Sequence, residues 1–133
     1  MKDFELTSDM LTIGGAFYPS GYIFAMFPDP EDAQQVVELL SRESAEQPTM
    51  LLSAQTVLDK LPYTTVSADL PLPSVGVEGA SVREYVELAR QGHCALMVYA
   101  SKAKDSDAVM ALIRSVPFSC AKKYRKLVIE DLS

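Results

Sequence analysis

His93 is the single histidine of the chain, and Cys94 follows it directly. An imidazole beside a thiol is the raw material of a nucleophile–base pair or a metal site. Consecutive strand residues point to opposite faces, so a strand beginning here would part the two. A histidine after Gly92 at a turn more often caps carbonyls or meets solvent, and that is its expected role. The second cysteine, Cys120, could pair with Cys94 only if their Cα atoms lay within about 7 Å. The strand order argued below separates them by one strand, roughly 9–10 Å, so free core thiols are expected. Asp29, Glu31, Asp32, Asp105 and Asp107 have the chemistry to hold a cation, but each group sits where a helix N-terminus favours negative charge. Gly14-Gly15 lacks the remaining glycines and the preceding strand of a dinucleotide loop. No cofactor, metal or catalytic residue is implied. Lys122, Lys123, Arg125 and Lys126 surround Tyr124. Cations around an aromatic ring can bind single-stranded nucleic acid, an anionic small molecule or an acidic peptide. Lysines also protect a sheet edge from pairing with another chain.

The elements that must position these groups are legible from period and punctuation. Tyr22 to Phe27 is an apolar run ending at Pro28. Asp29 then caps a helix whose stripe is Ala33, Val36, Val37 and Leu40, running to about Arg42. Thr49 to Leu52 suits a short strand, and Ser53 a cap for a short helix through Leu61. The span from Tyr63 to Ala80, with Pro71, Pro73, Gly76 and Gly79, reads as a long irregular segment, a surface connection or a lid. Ser81-Val82-Arg83-Glu84 has the form of a capping box, and Gly92 stops that helix. A strand over 94–100 follows, then a helix over 106–116 opened by Asp105-Ser106-Asp107, then a last strand from about Ala121 to Ile129.

The chain of 133 residues suits one domain with a core of its own. Residues 1–16 fit neither period and are expected to form an arm packed on the domain or on a second subunit, with residues 17–133 as the domain. The net charge of −6 argues against a general nucleic-acid binder. A net positive balance is confined to residues 101–133, with 7 basic and 4 acidic side chains against 5 and 14 before them. No stretch approaches the roughly 18 apolar residues of a membrane span, and the start lacks the layout of a signal peptide. A cytoplasmic protein with reduced thiols is the expectation.

Three segments carry a resemblance. FAMFPDPEDAQQVVELL at 24–40, GVEGASVREYVELARQGHCALMVYA at 76–100 and DSDAVMALIRSVPFSC at 105–120 together are similar to the heat-induced, general stress protein family called YflT-like. Gly76-Val77, Tyr85 and Gly92 fall at matching positions across about residues 22–120. The resemblance implies a ferredoxin-like domain tied to stress responses, and no chemistry to carry over.

The expected fold is therefore α+β: a ferredoxin-like sandwich with a four-stranded antiparallel sheet, two main helices on one face and short extra helices near 53–61 and 82–91. Its two central strands would be 22–27 and 94–100. Along them Ile23, Ala25, Leu96, Val98 and Ala100 share the face that suits helix packing. Tyr22, Phe24, Met26, Met97 and Tyr99 then fall on the open face. Such a face marks a dimer interface, a surface covered by the chain's own arm or loop, or a ligand site. The leading functional expectation is a non-enzymatic, stress-associated or regulatory module that forms a homodimer through this face. The alternative is a small-molecule sensor or small enzyme of the dimeric α+β type, with a pocket between the face and the 63–80 loop.

Overall fold

A computed structural model of the chain describes residues 2–3, 19–43, 49–61, 75–100, 102–125 and 129–132. The elements in order are β1 (Lys2–Asp3), β2 (Tyr22–Phe27), α1 (Pro30–Glu43), β3 (Thr49–Leu52), α2 (Ala54–Lys60), α3 (Val75–Arg90), β4 (Cys94–Tyr99), α4 (Ala103–Ile113), β5 (Cys120–Tyr124) and β6 (Ile129–Asp131). They form an α+β fold around one sheet of order β1-β3-β4-β2-β5-β6. All neighbours are antiparallel except β1, which runs parallel to β3. The apolar run of β2 lies at the centre, hydrogen-bonded to β4 on one side and β5 on the other.

Local chemistry explains most boundaries. At the end of β2, Asp29 Oδ1 accepts the Glu31 N–H at 2.9 Å, and the Asp29 carbonyl accepts from Asp32 at 3.1 Å. Pro30 has no N–H to lose and suits the first turn of α1. Ser53 has an extended backbone and its Oγ accepts the Thr56 N–H at 3.1 Å, the N-cap expected for α2. Gly92 closes α3 at φ +92°. Its N–H donates to the Ala89 carbonyl at 2.9 Å and the His93 N–H to Leu88 at 3.1 Å, the paired bonds of a Schellman turn.

Four boundaries depart from the sequence reading. α3 begins at Val75, six residues before the expected capping box, and carries Gly76 and Gly79 in its first turns. The Ser81 hydroxyl is buried against the sheet, where it accepts from Lys122 Nζ at 3.4 Å instead of capping. Residues 75–80 of the expected irregular segment are thus helical, and 62–74 lie outside the described residues. α4 starts at Ala103, with Lys102 as an N-cap that makes no side-chain cap bond, and Ser106 Oγ, within its first turn, donates back to the Ala100 carbonyl at 2.9 Å. The last strand breaks in two: β5 ends at Tyr124, and β6 returns beside it. That register sets Lys122 opposite Asp131 and Lys123 opposite Glu130, so opposite charges face each other across the hairpin. Of the expected arm, Lys2–Asp3 adds an edge strand to this chain's own sheet, and residues 4–18 lie outside the described residues.

The layering is the main correction. The expectation is a four-stranded sheet with two main helices on one face and short extra helices; α1 and α4 do share one face, but the sheet has six strands, and the extra helices α2 and α3 cover the face expected to be open. On one side α1 and α4 pack Ala33, Val36, Leu40, Val109 and Ile113 onto Ile23, Ala25, Leu96 and Val98. On the other, α2 and α3 pack Val57, Leu61, Val82, Tyr85 and Ala89 onto Phe24, Met26, Met97 and Tyr124. The expected division of the strands into an aliphatic face and an aromatic–methionine face holds residue by residue. The second face is not open, because the apolar stripes of α2 and α3, Val57 and Leu61 with Val82, Tyr85 and Ala89, bury themselves against it.

Candidate functional site

Of the five side chains expected on an open face, the structure sends three to the core. Phe24, Met26 and Met97 are fully buried beneath α2 and α3, and the Tyr85 ring stacks on Phe24 with centroids 4.1 Å apart. Tyr22 and Tyr99 stay at the rim. They meet edge to face at 5.2 Å, and Tyr99 keeps 40% of its surface exposed. Beneath them Gly21 ties three strands together: its N–H donates to the Tyr124 carbonyl at 2.8 Å, and its carbonyl accepts from Ala100 at 2.9 Å. Its φ of +88° favours glycine, and an added Cβ would stand 2.7 Å from the Tyr99 ring.

Around the buried face lies a polar network joining α3 to β5. The Tyr85 and Tyr124 hydroxyls are 2.7 Å apart in the core. Burial, and then the neighbouring Tyr124, pushes the Tyr85 phenol well above its ordinary range, so it stays protonated. Lys122 Nζ donates to Glu84 Oε1 at 2.6 Å and stands 5.6 Å from the centre of the Tyr85 ring. Cys120 lies in the same layer, where burial first and Glu84 second push its thiol up to about 12. These groups are neutral or paired, and their chemistry is that of a structural tie.

The basic strand does not present one anion surface. Lys122 and Lys123 point to opposite faces of β5, as period 2 requires. Lys123 is 4% exposed and donates through Nζ to the Ala100 carbonyl and to Ser106 Oγ. Burial, with Arg125 next, lowers the pKa of this amine. Arg125 pairs with Glu130 at 3.4 Å, and Lys126 lies outside the described residues.

One juxtaposition escaped the sequence reading. His93 Nδ1 and Ser119 Oγ are 2.5 Å apart, and both residues are half-buried. His93 precedes β4 and Ser119 precedes β5. Both strands are antiparallel to β2 and flank it, so both begin at the same end of the sheet. The expected strand order already placed these two residues at that end, and this was the available signal. The backbone fixes both: Ser119 N–H donates to the Met26 carbonyl at 2.7 Å, and His93 is held by the turn at Gly92.

Cys94 and Cys120 are free, buried and on opposite faces of the sheet, with β2 between their strands. Burial raises the Cys94 pKa, with Asp29 and Asp32 adding to the effect. A shallow polar groove runs along α1, lined by Glu31, Gln34, Gln35, Glu38, Leu39 and Arg42. Among the described residues no three His, Cys, Asp or Glu side chains converge as a metal site would require, and no helix is long and apolar enough to cross a membrane. The chain matches no protein-family model, no curated protein and no solved structure.

Proposed function

We propose that this chain is a non-enzymatic, stress-associated or regulatory module that self-associates, built on a ferredoxin-like nucleus. In this reading the nucleus is β2-α1-β3 interlocked with β4-α4-β5, whose strands lie in the order β3-β4-β2-β5. β1, β6, α2 and α3 are additions to it. The observation that carries the non-enzymatic reading is the fate of the buried tyrosines and of the lysines of β5. Tyr85 pairs with Tyr124, Lys122 with Glu84 and Lys123 with Ser106, each bond joining two elements of the fold. The association with stress rests on the resemblance of residues 22–120 to the YflT-like proteins.

The covered face moves self-association to what remains of it, the Tyr22–Tyr99 rim. Tyr99 is the large hydrophobic side chain left exposed among the described residues. Two tyrosines fall far short of the roughly 800 Å² per partner of a standard interface, so the pairing of two copies is expected to be weak and concentration-dependent. Sedimentation of wild type and Tyr99→Asp over a wide concentration range tests this. The wild type should shift toward dimer with concentration, while Tyr99→Asp stays monomeric with an unchanged circular dichroism spectrum. A wild type that remains monomeric throughout removes self-association from the proposal.

A further inference from the structure

We propose that Ser119 is an acyl-accepting serine, with His93 as its base, that reacts stoichiometrically with small activated acyl donors. This goes beyond the reading of the chain as a module and assigns it a covalent modification site.

The argument starts from geometry. An alkyl hydroxyl is a poor nucleophile until a base within about 2.6–3.2 Å takes its proton. His93 Nδ1 lies at 2.5 Å from Ser119 Oγ. In the tautomer carrying its proton on Nε2, Nδ1 accepts the serine hydroxyl. The two side chains belong to different strands and meet across the end of β2, each held by a backbone hydrogen bond, so the pair is positioned before any reagent arrives. Both residues are half-buried, so neither is sealed in the core.

The step balances without an oxidant or a metal. Ser119 Oγ forms a bond to the acyl carbon while its proton passes to His93 Nδ1. The bond from that carbon to the leaving oxygen breaks, and the imidazolium returns the proton to the departing alcohol. The products are a Ser119 ester and the free alcohol. The Ser119 N–H is already committed to the Met26 carbonyl. It cannot also stabilise the developing oxyanion, which forgoes a factor of about 10²–10³ in rate. Slow, stoichiometric acylation is therefore expected, not rapid turnover. Acylation would also remove the hydroxyl donor that links the start of β5 to the start of β4.

The probe is 4-nitrophenyl acetate, with each acetylated residue located by peptide mass spectrometry. Native protein should acetylate at Ser119 faster than at any other serine, and the same protein in 8 M urea (~8 M, beyond the usual unfolding range) should lose that preference. His93→Gln keeps a hydrogen-bond acceptor but no useful base, and should slow Ser119 acetylation by about a hundredfold. Ser119→Ala should abolish the adduct at this position without changing acetylation of surface lysines. If either variant fails to fold, the native-against-urea comparison within the wild type decides alone. Acetylation confined to lysines, or Ser119 reacting no faster than other serines, overturns the proposal.

Discussion

At the scale of single residues, the buried face is held by two kinds of polar contact of unequal weight. The Tyr85–Tyr124 bond is buried and joins neutral groups, so its loss is not softened by solvent. The Lys122–Glu84 pair is shorter, yet the Glu84 side chain is 45% exposed, and water screens it. Tyr85→Phe deletes one hydroxyl while leaving the ring stacked on Phe24 and under Lys122. It should lower the unfolding free energy by about 1–2 kcal/mol. Glu84→Gln should cost less than about 1 kcal/mol, and less still in high salt. Urea denaturation at low and high salt measures both, and a larger loss from Glu84→Gln would invert the ranking. The tyrosine contact could not be read from sequence. Tyr85 lies in the expected helix stripe and Tyr124 in the expected strand, but their meeting depends on α3 covering the face that was expected to be open.

At the scale of elements, boundaries set by local chemistry were legible and those set by tertiary contact were not. β2, β3, α2 with its Ser53 cap and the Gly92 stop follow from residues within a turn of each boundary. The starts of α3 and α4 were misread because Ser81 and Ser106 look like caps but bond elsewhere, to Lys122 and to the Ala100 carbonyl. Parity divided the strand residues correctly between two faces, since period 2 needs only the strand itself. What covers each face depends on helices far along the chain. The same contrast separates two glycines with nearly equal φ. Gly92, at +92°, has open space where a Cβ would stand, whereas at Gly21, at +88°, that Cβ would meet the Tyr99 ring. Gly92→Ala should therefore cost only the backbone strain, about 1 kcal/mol. Gly21→Ala should cost more, and Tyr99→Ala in the same chain should recover the excess. Thermal unfolding of the two single variants and the Gly21→Ala, Tyr99→Ala double variant forms the cycle. Equal losses at the two glycines would mean that the ring moves aside freely.

At the scale of the whole molecule, burying both faces fixes how stability responds to alkali. Cys120 and Cys94 ordinarily titrate at 9.0, and burial raises both, Cys120 to about 12. Tyr85 is raised well above 10.0. Above pH 9 the unfolded chain therefore releases thiol protons that the folded chain retains, and stability must fall as pH rises. Lys123 acts in the opposite sense. Its amine is lowered from 10.5, so just below that pH the unfolded chain holds a proton the folded chain has given up, and stability gains with pH there. Two thiols and a phenol against one amine leave a net loss, with each fully retained proton contributing a slope of about 1.4 kcal/mol per pH unit. Cys120→Ala removes one of these protons from the balance. The variant should be less stable than wild type near neutral pH by about 1 kcal/mol, because a small void is left in the core. Between pH 9 and 11 (roughly the span over which an unfolded thiol ionises and a buried one does not) its stability should decline more gently. The two curves should therefore converge as the solution becomes more alkaline. Urea denaturation under reducing conditions across that range gives both slopes. Parallel curves would mean that Cys120 ionises as readily in the folded chain as in the unfolded one, which is incompatible with a thiol packed between β5 and the α2–α3 layer.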